Sequence, residues 1–114
     1  MQEIALSLTA EEVTRRALGY WSEHWDWECP TLFGIERVEL HSVLSTWPTI
    51  APGTEEQVSL AVVGAYRELL YGASAVARSE VEATIGVTHE QACSLLEQLT
   101  VFLQALRSRA PNDA

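Results

Sequence analysis

Apolar residues recur at helical spacing along most of the chain, and they are densest from Thr54 to Tyr71, TEEQVSLAVVGAYRELLY. At about 100° per residue, Val58, Ala61, Val62, Ala65, Tyr66 and Leu69 share one face, while Leu60, Val63, Leu70 and Tyr71 cover most of the other. A helix apolar on both sides is buried at the centre of a fold or covers its second side with a partner. The stretch from Thr9 to Asp26, TAEEVTRRALGYWSEHWD, is a weaker copy of it. Thr9 pairs with Thr54, Glu11 with Glu56, Val13 with Val58, Gly19 with Gly64 and Glu23 with Glu68. Arg15 stands where the central copy has Leu60, Ser22 where it has Arg67 and Asp26 where it has Tyr71, which places the first copy outside and the second in the middle.

Start signals accompany both copies. Thr followed three residues later by Glu12 or Gln57 is a capping-box pattern, and Leu8 with Val13 fits a hydrophobic staple. The first helix is expected over about Ala10 to Trp25, with Trp27 to Pro30 as a break. Next, GIERVELHSVLSTW from Gly34 matches GVTHEQACSLLEQL from Gly86 and predicts a second helix over about Glu36 to Trp47, stopped by Pro48. The central helix ends or kinks at Gly72. Ser79 with Glu82 opens a short helix to Ile85, and Thr88 with Gln91 caps a last helix to about Arg107, with Ala92, Leu95, Leu99, Phe102 and Leu106 as its core stripe.

The fold expected is all-α: a compact bundle of four to five helices built from two pseudo-symmetric αα-hairpins, about residues 9–47 and 54–107, within one domain spanning 1–114. Residues 2–8 alternate in the strand period with nothing to pair with and predict an extended arm packed on the bundle. Residues 108–114 predict a disordered tail. Gly19 and Gly64 fall inside helices, where glycine costs about 1 kcal/mol relative to alanine. Either the copies cross closely there, or the glycines are exposed and tolerated.

Composition narrows the function. A chain of 114 residues that is 47% hydrophobic supports one core. Its 16 acidic residues against 7 basic ones, all arginine, give a formal charge of −9, a surface that repels phosphate backbones and attracts basic proteins. MQEIALSL lacks the features of a secretory leader, and no run is long enough to span a membrane, so a cytoplasmic location with reduced Cys29 and Cys93 is expected.

Three constellations could carry chemistry. Val81 to Leu96 has the outline of a helix-turn-helix, but the helix that would enter a groove offers His89, Glu90, Gln91, Ser94 and Glu97 with no cation, so nucleic acid is not expected as a partner. His89 with Cys93 and His24 with Cys29 have spacings that zinc can use, although a buried thiol at Cys93 and a half-buried imidazole at His24 account for them, so no metal or cofactor is expected. Glu23 with Asp26 and Glu36 with Glu39 resemble the carboxylate spacing with which all-helical nucleotide pyrophosphohydrolases hold magnesium. The order of the two pairs is reversed here, and solvated helix faces explain the same charges.

The segment from Tyr20 to Glu28, YWSEHWDWE, interleaves three tryptophans with three carboxylates. Trp21 and Trp25 are expected to pack inward with Trp47, and Trp27 falls in the break. This segment reads either as a core edge or as a docking patch in which Trp27 anchors a basic protein partner and Glu23, Asp26 and Glu28 steer it. The leading expectation is a non-enzymatic protein-binding module, such as an immunity protein or small inhibitor of a basic toxin. The alternatives are a homodimeric structural or regulatory protein joined through Leu60, Val63, Leu70 and Tyr71, and a magnesium-dependent all-α nucleotide hydrolase.

Overall fold

A computed structural model describes residues 8–109, with side chains from Ala10 onward. Six α-helices follow in order: α1 (Leu8–Glu23), α2 (Cys29–Phe33), α3 (Arg37–Thr46), α4 (Glu55–Tyr71), α5 (Val81–Ile85) and α6 (His89–Arg109), with a 3₁₀ turn at Arg78–Glu80 leading into α5. No strand occurs among the described residues. The Cα radius of gyration is 13.5 Å, close to the roughly 13 Å of a compact chain of this length.

Helix α4 packs against α1, α2, α3 and α6, so it forms the middle of the molecule. Val58, Ala61, Val62, Ala65, Tyr66, Leu69 and Leu70 of α4 are all buried. On α1 the buried positions are Ala10, Val13, Thr14, Ala17, Leu18 and Trp21, a single stripe at helical spacing. Two indole N–H groups tie helices together: Trp21 Nε1 donates to the Ala65 carbonyl at 3.0 Å, and Trp47 Nε1 donates to the Glu11 carbonyl at 3.0 Å. Trp47 thereby holds the end of α3 on the start of α1.

Several boundaries differ from those the pattern predicts. Helix α2 lies in the expected break, because Pro30 occupies its first turn, where a missing N–H has no intrahelical partner to lose. Helix α1 begins at Leu8, so Thr9 lies inside the helix and is not its cap. Its first-turn neighbour Glu12 pairs instead with Arg15 at 3.0 Å and Arg16 at 3.2 Å. Thr54 precedes α4 without capping it: its hydroxyl donates to the Ala51 carbonyl at 2.7 Å. No Ser79 cap forms either, since the 3₁₀ turn carries the chain to Val81 before α5 begins.

The box at Thr88 does form, with the Thr88 amide donating to Gln91 Oε1 at 2.9 Å and the Gln91 amide to Thr88 Oγ1 at 3.2 Å. At the far end α6 continues to Arg109, so Ser108 and Arg109 are helical, and the remainder of the expected tail lies outside the described residues. The expected arm over residues 2–8 also lies outside them, except for Leu8, which is helical. The staple between Leu8 and Val13 rests on a side chain outside the description.

Helices α2 and α5 are alike in construction. Each has five residues, buries its first and last side chains (Cys29 with Phe33, Val81 with Ile85), and ends on a glycine at positive φ, Gly34 at 79° and Gly86 at 93°. Glycine is favoured there because a Cβ is strained in the left-handed region, and the turn sends the chain into the next long helix. Helix α2 packs on α4, and α5 packs on α1.

Candidate functional site

The corner between α1 and α2 is built by local hydrogen bonds around Asp26. Its Oδ1 accepts the Glu28 amide at 2.9 Å and the Cys29 thiol at 3.4 Å, while its carbonyl accepts the Cys29 amide at 3.1 Å. The Asp26 amide in turn donates to Cys29 Sγ at 3.4 Å. Burial pushes the Cys29 thiol above its ordinary range; the Asp26 backbone hydrogen bond pulls against that, while the Asp26 carboxylate adds to it. Asp26 is therefore a turn-locking residue as well as a surface charge.

That locked turn decides which aromatic faces water. Trp21 lies edge-on to Phe33 with ring centroids 5.6 Å apart, and Trp25 tilts onto the same ring at 5.0 Å. Cys29 is buried two residues after Trp27. With positions 25 and 29 drawn inward, the side chain at 27 points out: Trp27 is 86% exposed. Glu23, Asp26 and Glu28 are exposed in the same short stretch. All four residues singled out from the sequence thus stand together at one corner. Arg37 borders it, donating to the Ser22 carbonyl at 3.0 Å.

Other candidates separate. His24 is exposed and not half-buried, its ring stacked on Tyr20 at 4.1 Å and its Nδ1 on the Tyr20 carbonyl at 2.8 Å. Cys29 is buried in the Asp26 turn, so no His24–Cys29 pair forms. Of the two carboxylate pairs, Asp26 holds the turn just described, and Glu39 Oε1 accepts the Glu36 amide at 2.7 Å at the start of α3. Among the described residues no three His, Cys, Asp or Glu side chains are grouped to hold a metal ion. No helix among them is long and apolar enough to cross a membrane.

The residues considered for self-association do not share one open face. Leu70 is 6% exposed, Tyr71 is 60% exposed, and Leu60 and Val63 line a groove of about 190 Å³ together with Thr100, Gln104 and Arg107 of α6. Tyr71 instead reaches Cys93, with its hydroxyl 2.7 Å from Sγ. Cys93 is half-buried, not the enclosed thiol expected. The His89–Cys93 spacing was visible in the sequence, but the approach of Tyr71 was not.

No protein-family model, no curated protein and no solved structure matches this chain.

Proposed function

We propose that the protein is a non-enzymatic binding module whose α1–α2 corner docks onto a basic surface of a protein partner, as an immunity protein or a small inhibitor of a basic toxin would. The observation that carries this reading is Trp27, held almost fully in water by a turn whose other aromatics are packed inward, with Glu23, Asp26 and Glu28 exposed around it. A large, stiff, exposed indole is the side chain that most often anchors an interface, and surrounding carboxylates speed the encounter with a cationic partner. The formal charge of −9 extends that attraction over the whole molecule. A cytoplasmic location belongs to the same reading.

Because Asp26 locks the turn, the test leaves it in place. Wild type, Trp27→Ala and the double variant Glu23→Lys/Glu28→Lys are used to capture proteins from the native cell lysate. The captured protein is then purified and its binding measured at low and high salt. A basic partner, lost on either substitution and bound more slowly as salt rises, supports the proposal. Undiminished capture by the charge-reversed variant counts decisively against it.

We also infer that the chain is a doubled segment, α1–α2–α3 followed by α4–α5–α6. In support, α1 packs on α3 as α4 packs on α6, and each short helix reaches across to the long helix of the other unit. An isolated fragment covering residues 48–109 is then expected to pair with a second copy, α4 meeting α4 where it now meets α1. A monomeric, unfolded fragment in sedimentation and circular dichroism would weigh against duplication.

A further inference from the structure

Cys93 lies in the second turn of α6, four residues after His89, the first residue of that helix. The end of α4 brings Tyr71 against it. The Tyr71 hydroxyl is 2.7 Å from Cys93 Sγ, and His89 Nδ1 is 3.6 Å from the same sulfur. The phenol and imidazole rings meet edge to face at 5.9 Å. Two helices thus converge on one sulfur, which a hydroxyl and an imidazole both reach. Tyr71 is 60% exposed and Cys93 half-buried, so small solutes can approach.

The charged surroundings are also defined. Arg78, from the 3₁₀ turn, acts electrostatically on both Cys93 and Tyr71 while it pairs with Glu90 at 2.8 Å, and Glu97 lies one turn beyond Cys93 on α6. An imidazole within reach of the sulfur can act as the base for its proton, with the phenol as a second hydrogen-bond partner. The hydrogen bond to Cys93 raises the Tyr71 phenol above its ordinary range, and hydroxyl and thiol can each donate in that bond. The other cysteine is in the opposite situation: Cys29 is buried, shares its turn with a carboxylate, and has no imidazole on it.

We propose that Cys93 is a modification site for hydroperoxides, with His89 taking the thiol proton and Tyr71 donating to the sulfur. The thiol proton passes to His89 Nδ1, and the sulfur attacks the terminal oxygen of the peroxide. An S–O bond forms as the O–O bond breaks. The departing oxygen leaves as hydroxide or alkoxide and takes the proton back from the imidazolium, giving water or an alcohol. Sulfur is oxidised by two electrons to a sulfenic acid, and the peroxide is reduced by the same two.

The experiment treats the full-length folded protein with hydrogen peroxide in the presence of a cyclic-diketone trap for sulfenic acids. Adducts are assigned by peptide mass spectrometry. The expected result is an adduct on Cys93 and none on Cys29 until the protein is unfolded in urea. His89→Gln is expected to slow the reaction by about tenfold or more, as loss of a positioned proton-transfer group does, with the helical signal unchanged. Tyr71→Phe is expected to slow it as well. Equal labelling of both cysteines in the folded protein, or a rate unchanged by both His89→Gln and Tyr71→Phe, overturns the proposal.

Discussion

The hydroxyls of Thr14 on α1 and Tyr66 on α4 lie 2.8 Å apart, and neither residue has any surface in water. They form a polar bond inside an otherwise apolar contact between the two helices. Each hydroxyl satisfies the other where no water can. Burial pushes the Tyr66 phenol up to about 12, against a smaller downward pull from the Thr14 hydroxyl.

Tyr66→Phe removes one partner and leaves the Thr14 hydroxyl buried alone, which should destabilise the fold by about 1–3 kcal/mol at neutral pH. The double variant Thr14→Val/Tyr66→Phe should recover part of that loss. Because the phenol is raised in the folded state, its contribution is complete below the unfolded value near 10 and is lost as pH climbs from there through about 12. The wild-type advantage over Tyr66→Phe should therefore shrink over that interval by up to about 3 kcal/mol. Denaturant melts from neutral to strongly alkaline pH check both statements.

The two mid-helix glycines should respond in opposite directions to alanine. A Cβ on Gly64 would stand 2.7 Å from Phe33 Cδ2, inside the core, whereas one on Gly19 would meet nothing within 4 Å. Gly19→Ala should stabilise by up to about 1 kcal/mol through helix propensity alone. Gly64→Ala must displace a buried ring and should lower stability by about 1–3 kcal/mol, as overpacking does. Thermal unfolding of the pair decides it, and equal shifts would contradict the packing described.

At the acidic corner, the structural and surface roles of neighbouring carboxylates can be separated. Asp26→Ala breaks the bonds to the Glu28 amide and the Cys29 thiol and should cost about 1 kcal/mol, as loss of a capping side chain does. Glu28→Ala, with no cap bond from its side chain, should stay within about 0.5 kcal/mol of wild type. Cys29 should also become more reactive toward a thiol reagent in Asp26→Ala than in Glu28→Ala.

Trp21 and Trp27 should differ just as sharply. Trp21→Ala empties a core site and frees the Ala65 carbonyl, and should cost about 3–5 kcal/mol. Trp27→Ala should leave stability within about 0.5 kcal/mol. Chemical denaturation read by far-UV circular dichroism makes the comparison without relying on the indoles.

The long helices were legible because their apolar stripes run for several turns: Val62, Leu69 and Trp21 are buried as the wheel places them. Trp27 was singled out for its neighbours, and it does face water. What stayed hidden was short or distant. Helix α2 has only five residues, too few for a period to show, and its proline reads as a breaker until its place in the first turn is known. Thr14 is polar, and its partner lies 52 positions away. Tyr71 joined an apolar face on the wheel, and only the packing of α4 on α6 turns its hydroxyl to Cys93. The two mid-helix glycines look alike in the sequence, yet of the pair only Gly64 is approached closely, and by Phe33 of α2, a helix too short for its period to show.

Trp27 also supplies a spectroscopic handle. Of the four indoles, Trp21 and Trp47 are enclosed and Trp25 is half covered, so the solvent-relaxed part of the emission belongs mainly to one residue. Caesium, gathered by the adjoining carboxylates, should quench that component well before iodide does. When another macromolecule settles on the corner, the emission should shift to the blue and lose its sensitivity to caesium, with no dye attached.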